Sequence, residues 1–123
     1  MATTTLGQDN FETTIKDHEI VLVDWWAEWC GPCRMFAPIF EKASEEHTDI
    51  VFGKIDTEAE RGLSAAAGIS SIPTLMAFKD GSLVFAQPGA LPATALNELI
   101  QAVRDLDIEA ARKAAADKES ATS

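Results

Sequence analysis

The stretch 20-IVLVDWWA-27 constrains the fold most. Its β-branched and aromatic residues run almost without interruption. With no polar alternation, neither face of such a strand can meet water, so it must be covered on both sides. The rest of the chain supplies helices to do this. From Pro32 onward, Met35, Phe36, Ile39, Phe40 and Ala43 recur at the spacing of one helical face, which predicts an amphipathic helix to about His47. Pro38 lies inside it and is expected to kink it, because proline brings no N–H to the ladder. Upstream, 9-DNFETTIKDH-18 reads as a short helix capped by Asp9 or Asn10, with Phe11 and Ile15 one turn apart.

Downstream, 50-IVFGKID-56 is a second strand, followed by a short helix around 58–67 and the breaker cluster GISSIPT. A third strand, 75-LMAFK-79, turns at Asp80-Gly81 into 82-SLVFA-86. The last helix is placed with Pro92 at its first position and Leu96, Leu99, Ile100 and Val103 on one face. Alternating strands and helices closed by a hairpin and a helix make an α/β domain with a mixed sheet. The domain is assigned to residues 1–106. Residues 107–123 are an alanine-rich, charged extension, over which the final helix is expected to run on for a few turns and then fray into a disordered end.

A net charge of −10 with no Lys/Arg cluster argues against nucleic acid as a partner. The longest apolar run is about seven residues, far short of a membrane span. The start, MATTTLGQDNF, has neither a basic nor an apolar signal region, so the expected location is cytoplasmic. In that compartment an isolated cysteine pair points to redox or metal chemistry before it points to a scaffold.

The chain has two cysteines, Cys30 and Cys33, both in 25-WWAEWCGPCRM-35. A structural staple enclosing four residues would contribute only about 2 kcal/mol, against about 3 for a fifteen-residue loop. A zinc clip needs four ligands, and His18 and His47 have no ligand-like spacing to the pair. Thiolates from a second copy remain an alternative source. Redox cycling fits the local pattern best. Gly31-Pro32 lies where a strand turns into a helix, which puts Cys30 at the helix N-terminus, where unpaired N–H groups favour a thiolate. Cys33, one turn in, is near enough for a small adjustment to close a disulfide. Cys30 is then an activated, partly exposed attacker and Cys33 a shielded neighbour. Asp24 adds a second signal. A carboxylate amid IVLVDWWA is costly to bury ionised, so its pKa should be raised, although periodicity alone also allows a solvated strand end.

The string WCGPC preceded by 22-LVDWWAE-28 resembles the thioredoxin family. The resemblance covers about residues 6–103 and includes 54-KID-56, 72-IPT-74, 77-AFKDG-81 and 89-GAL-91 in order. It implies a central five-stranded mixed sheet flanked by four helices, with the cysteines at the tip of the strand that holds Asp24. It implies that Cys30 attacks a target disulfide, that Cys33 resolves the mixed disulfide, that Asp24 exchanges a proton with Cys33, and that Lys54 modulates Asp24. Pro73 matches a cis-proline facing the cysteines. With Ile72 it would offer a backbone edge to an extended substrate. Trp29, Gly31, Pro32, Ser71 and Gly89 join the substrate surface by the same resemblance, while Trp25 and Trp26 are expected to pack in the core and under the site.

The implied activity is general protein-disulfide reduction, by a monomer with no bound cofactor and no metal. Reducing equivalents would come from NADPH through a thioredoxin reductase, and the substrates would be disulfide-containing proteins. Three departures stand out: Ser71 where a glycine is usual, Trp25 where phenylalanine is usual, and the alanine-rich extension. A disulfide isomerase or oxidase of the same fold is the neighbouring alternative, which Pro32 disfavours because it places no histidine beside Cys33. A binding module that uses the groove without turnover is the alternative of a different class.

Overall fold

The computed structural model of the protein describes residues 2–114. Its elements are β1 (Thr3–Thr5), α1 (Phe11–Asp17), β2 (Ile20–Trp26), α2 (Gly31–Glu46), β3 (Val51–Asp56), α3 (Arg61–Ala66), β4 (Thr74–Lys79), β5 (Ser82–Pro88) and α4 (Ala93–Asp105). The strands form one five-stranded sheet in the order β1-β3-β2-β4-β5. β2 lies at its centre, parallel to β3 and antiparallel to β4.

Alternation along β2 divides the core into two. Ile20 and Leu22 join Phe52, Leu75 and Ala77 against Phe36 and Phe40 of α2 and Leu96, Ile100 and Val103 of α4. Val21, Val23 and Trp25 turn the other way, into a cluster with Ile15, Ile55 and Met76 that Phe11 and Leu63 cover. Both faces are dry, as the unbroken apolar run requires. Asp24 has the parity of the first face.

β1 was not legible as a strand in the sequence. Three threonines have no apolar period, and they are ordered by parallel pairing with Phe52–Lys54 of β3. The following Leu6 then covers β3 so closely that a Cβ added at Gly53 would overlap its side chain. Gly53→Ala is therefore expected to lower stability by about 1–3 kcal/mol through overpacking, read as a lower urea midpoint. An unchanged midpoint would mean that Leu6 moves aside freely.

Several sequence expectations need correction. Asn10 stands at the N-cap of α1 but makes no side-chain cap; its Oδ1 instead accepts from the Gly7 N–H at 2.7 Å. Pro92 is the N-cap of α4, not its first helical residue, because its ψ of 160° is extended. Met35, expected on the buried face of α2, is 74% exposed, since Cys33, Phe36, Phe40 and Ala43 already fill that face. Pro38 does lie inside α2, as expected, and the helix continues past it to Glu46.

The largest difference is at the end of α4. That helix stops at Asp105 and Leu106 is extended, so it does not run on into the extension. The buried Lys79 ammonium donates to the carbonyls of Val103, Arg104 and Leu106 at 2.8, 2.9 and 2.8 Å, which satisfies the helix end. A fifth helical stretch then starts at residue 108, one more than the four helices expected. Asp107 caps it through Oδ1, which accepts from the Ala110 N–H at 3.1 Å. The expected fraying into the last residues lies outside the described part of the chain.

Candidate active site

β2 runs out at Trp26, and after four intervening residues α2 begins. Cys30 is the N-cap of α2, with extended backbone and its Sγ accepting from the Cys33 N–H at 3.2 Å. Pro32 fits the first turn because no N–H is needed there. One turn into the helix, the Cys33 Cα is 5.2 Å from that of Cys30, and the two sulfurs lie at disulfide distance. Gly31 and Pro32 are exposed. The sulfurs are not: Cys30 is 4% and Cys33 3% accessible, so the expected asymmetry in exposure is absent with the ring closed. What distinguishes the two is their surroundings. Cys30 Sγ lies 3.7 Å from the Ile72 carbonyl oxygen, whereas Cys33 lines a small open cavity.

The loop before β4 brings the second half of the site. Ile72-Pro73 is a cis peptide. The Pro73 carbonyl accepts from the Gly89 N–H at 2.7 Å, which ties the two loops together. Gly89 has φ of 107°, a conformation that by itself calls for glycine. Trp29 is 66% exposed and stands across from Ser70, Ser71 and Ile72, with Thr57 and Ser64 below, around a cleft of about 320 Å³. Its indole N–H donates to Glu58 Oε1 at 2.9 Å, and Arg61 holds the other oxygen at 2.8 Å. The indole hydrogen bond, with Arg61 adding to it, lowers the Glu58 pKa. Neither Glu58 nor Arg61 was singled out in the sequence, where they read as ordinary surface charges.

Asp24 is fully buried, and among the described residues neither carboxylate oxygen has a hydrogen-bond partner. Burial raises its pKa from 3.8 to about 7, and Lys54 opposes that rise. The β2–β3 register pairs Asp24 directly with Lys54. The Lys54 ammonium sits 5.0 Å from the centre of the Trp26 ring, and Trp26 in turn packs on Ala27, Cys30 and Cys33. A cavity of about 120 Å³ opens among Trp26, Glu28, Cys33, Arg34 and Lys54. Trp25 lies on the opposite face of the sheet, edge-on to Phe11 at 5.9 Å, so its departure from phenylalanine does not touch Asp24 from that side. Asp24 and Lys54 are thus paired across β2 and β3, and Lys54 and Cys33 line one cavity with Trp26 between. Trp29, Ser71, Ile72, Pro73 and Gly89 form the loop surface beside Cys30.

The geometry suits a reversible disulfide, with a sulfur at a helix N-terminus, its partner one turn in, and a buried protonatable carboxyl on the same central strand that leads into the site. Among the described residues no group of three or more His, Cys, Asp or Glu side chains is placed to hold a metal ion, and no helix is long and apolar enough to cross a membrane.

Comparison with known proteins gives a consistent result. The thioredoxin family profile matches residues 2–102. A Streptomyces coelicolor protein assigned as thioredoxin 2 is 53% identical over 118 residues, covering 96% of this chain and 88% of its own. Among solved structures, a thioredoxin of Plasmodium falciparum superposes with a TM-score of 0.75 at 37% identity, covering 80% of this chain and 97% of its own. A mutant thioredoxin of Halobacterium salinarum superposes with 0.77 at 35% identity, covering 85% and 92%. With the paired sulfurs at the tip of the central strand and that likeness along the domain, the chain belongs to the thioredoxin family of dithiol–disulfide oxidoreductases.

Proposed function

We propose that the protein reduces disulfides in other proteins by the following sequence. The Cys30 thiolate attacks one sulfur of a target disulfide. The target's other sulfur leaves as a thiolate, and a mixed disulfide forms on Cys30. Asp24 takes the proton from the Cys33 thiol, and the Cys33 thiolate attacks Cys30 Sγ. The reduced target departs and the Cys30–Cys33 disulfide remains. A thioredoxin reductase fed by NADPH then returns both electrons, so the protein itself needs no bound cofactor.

Cys30 as the cap of α2 carries this reading. The Cys33 N–H already points at its sulfur, and the same donor stabilises a thiolate there once the ring opens. Extended target backbone would lie along Ile72, between the Trp29 indole and the Gly89 loop, with Gly31, Pro32, Ser71 and Pro73 completing the surface. Lys54 moderates the charge of Asp24. The cytoplasm suits a reductant of this kind, and a monomer leaves the groove free. Residues 107–123 are an extension of the catalytic domain, tied back to it where Arg112 donates to the Asp80 carbonyl at 2.9 Å and to Ser82 Oγ at 2.8 Å.

Redox titration against glutathione tests the direction of electron flow. The pair is expected to remain more reducing than glutathione, and Pro32→His is expected to raise its potential on the order of 30 mV, tenfold in the exchange equilibrium. A new imidazole beside Cys33 favours the thiolate and hence the reduced state. A pair already more oxidising than glutathione would overturn the reductase assignment in favour of an oxidase or isomerase.

A further inference from the structure

We propose that Trp26 is a positioning residue for the reaction: its indole face holds the Lys54 ammonium at the mouth of the cavity beside Cys33, and so sets the charge balance felt by Asp24. The proposal rests on the reading of Asp24 as the proton acceptor of Cys33.

Strand geometry makes the arrangement. Asp24 and Trp26 are two residues apart on β2 and share a face, while the parallel register sets Lys54 opposite Asp24 and Asp56 opposite Trp26. A lysine on a flexible stem would ordinarily turn toward water or a nearby carboxylate. The nearest candidate on its own strand, Asp56, is committed elsewhere, with Oδ1 accepting from the N–H groups of Glu58 and Ala59 at 2.9 and 3.4 Å. Among the described residues Lys54 forms no salt bridge. Among the described residues its ammonium instead faces the Trp26 ring, 5.0 Å from ammonium to centroid. Both side chains are half-buried, and partial desolvation strengthens a cation over an aromatic face.

Trp26 is itself held by packing. Its indole N–H is buried without an acceptor, and the ring lies against Ala27, Cys30 and Cys33. One side chain therefore links the sulfurs to the ammonium. The other charged or titratable groups around the cavity are Glu28 from the loop and Cys33 and Arg34 from α2. Arg34 donates from Nε to the Glu28 carbonyl at 2.9 Å. β4 presents Leu75 opposite Asp24 and adds no charge. Lys54 is thus the cation that the fold sets against Asp24, and Trp26 decides whether it stays there.

A titration cycle tests this. The Asp24 carboxyl is followed by ¹³C NMR in the reduced protein, in Trp26→Leu, in Lys54→Met and in the double variant. Trp26→Leu is expected to raise the Asp24 midpoint by about half a pH unit when Lys54 is present, and to raise it much less, or lower it by admitting water, when Lys54 is absent. Equal shifts in both backgrounds overturn the proposal. If the leucine variant does not fold, Trp26→Phe serves in the same cycle, with a smaller coupling expected from the weaker ring face and none if the proposal is wrong. In the unmodified protein the Lys54 ε-methylene protons should be shifted upfield by the indole; unshifted resonances overturn the proposal without any variant. Asp24→Asn, assayed for disulfide reduction across pH, separates the two levels. A rate profile unchanged in that variant removes the proton-acceptor reading and the catalytic half of the proposal with it, whereas additive titration shifts beside an altered profile remove the proposal alone.

Discussion

Asp24→Asn is expected to gain about 4 kcal/mol of stability relative to the unmodified protein between pH 3 and pH 8. The carboxyl is fully buried with no partner for either oxygen, and its pKa is raised from 3.8 to about 7, chiefly by desolvation. The unfolded chain releases this proton above its ordinary pKa near 4, while the folded protein keeps it until near neutrality. Across that window the folded state holds the extra proton, so stability must fall as pH rises, by up to about 1.4 kcal/mol per pH unit. Below the window both states are protonated and the carboxyl carries no charge penalty; above it the full penalty applies. Asparagine cannot ionise, so its difference from aspartate grows with pH, on top of a constant offset for the amide it buries. Urea unfolding of both oxidised proteins from pH 3 to pH 9 measures the difference. A gap that does not change with pH would mean that the carboxylate is solvated in the native state.

The thiols carry the second large effect. Cys30→Ser should reduce disulfide turnover by at least about a thousandfold, because a serine hydroxyl at a helix N-terminus remains un-ionised at neutral pH. Cys33→Ser should fail differently. Cys30 can still attack, but nothing displaces the target, so mixed disulfide accumulates to one equivalent and stops. Mass spectrometry of the trapped species reads this directly and names the target. Sustained turnover by Cys33→Ser would place the resolving sulfur elsewhere, and the scheme would fail.

The cysteine pair, the buried carboxyl and the helix that begins between them were legible because each depends on local spacing. Cys30 and Cys33 are one helical turn apart, Pro32 marks the first turn, and IVLVDWWA reads as a covered strand whose one acid is expected to be buried, the solvated strand end being the alternative that the structure excludes. Local rules also located the turn at Asp80-Gly81 and the apolar stripe of α4. β1 escaped because its three threonines are a strand only by pairing with β3. The end of α4 escaped because the signal lies in Lys79, more than twenty residues away. Lys79 is a surface-type residue by sequence, yet it is buried at the carbonyl end of the helix. Met35 was misplaced because helical period gives the angle between residues and not which neighbours already fill the face.

The sequence by itself thus determined the reactive chemistry and the class of fold, since both rest on contacts within one turn or one strand. Tertiary structure alone decided what surrounds that chemistry. Glu58 reaches the Trp29 indole, Pro73 meets Gly89, and Lys54 comes to lie over Trp26 opposite Asp24. Each of these joins residues on different elements, where strand order and register, not spacing along the chain, set who meets whom.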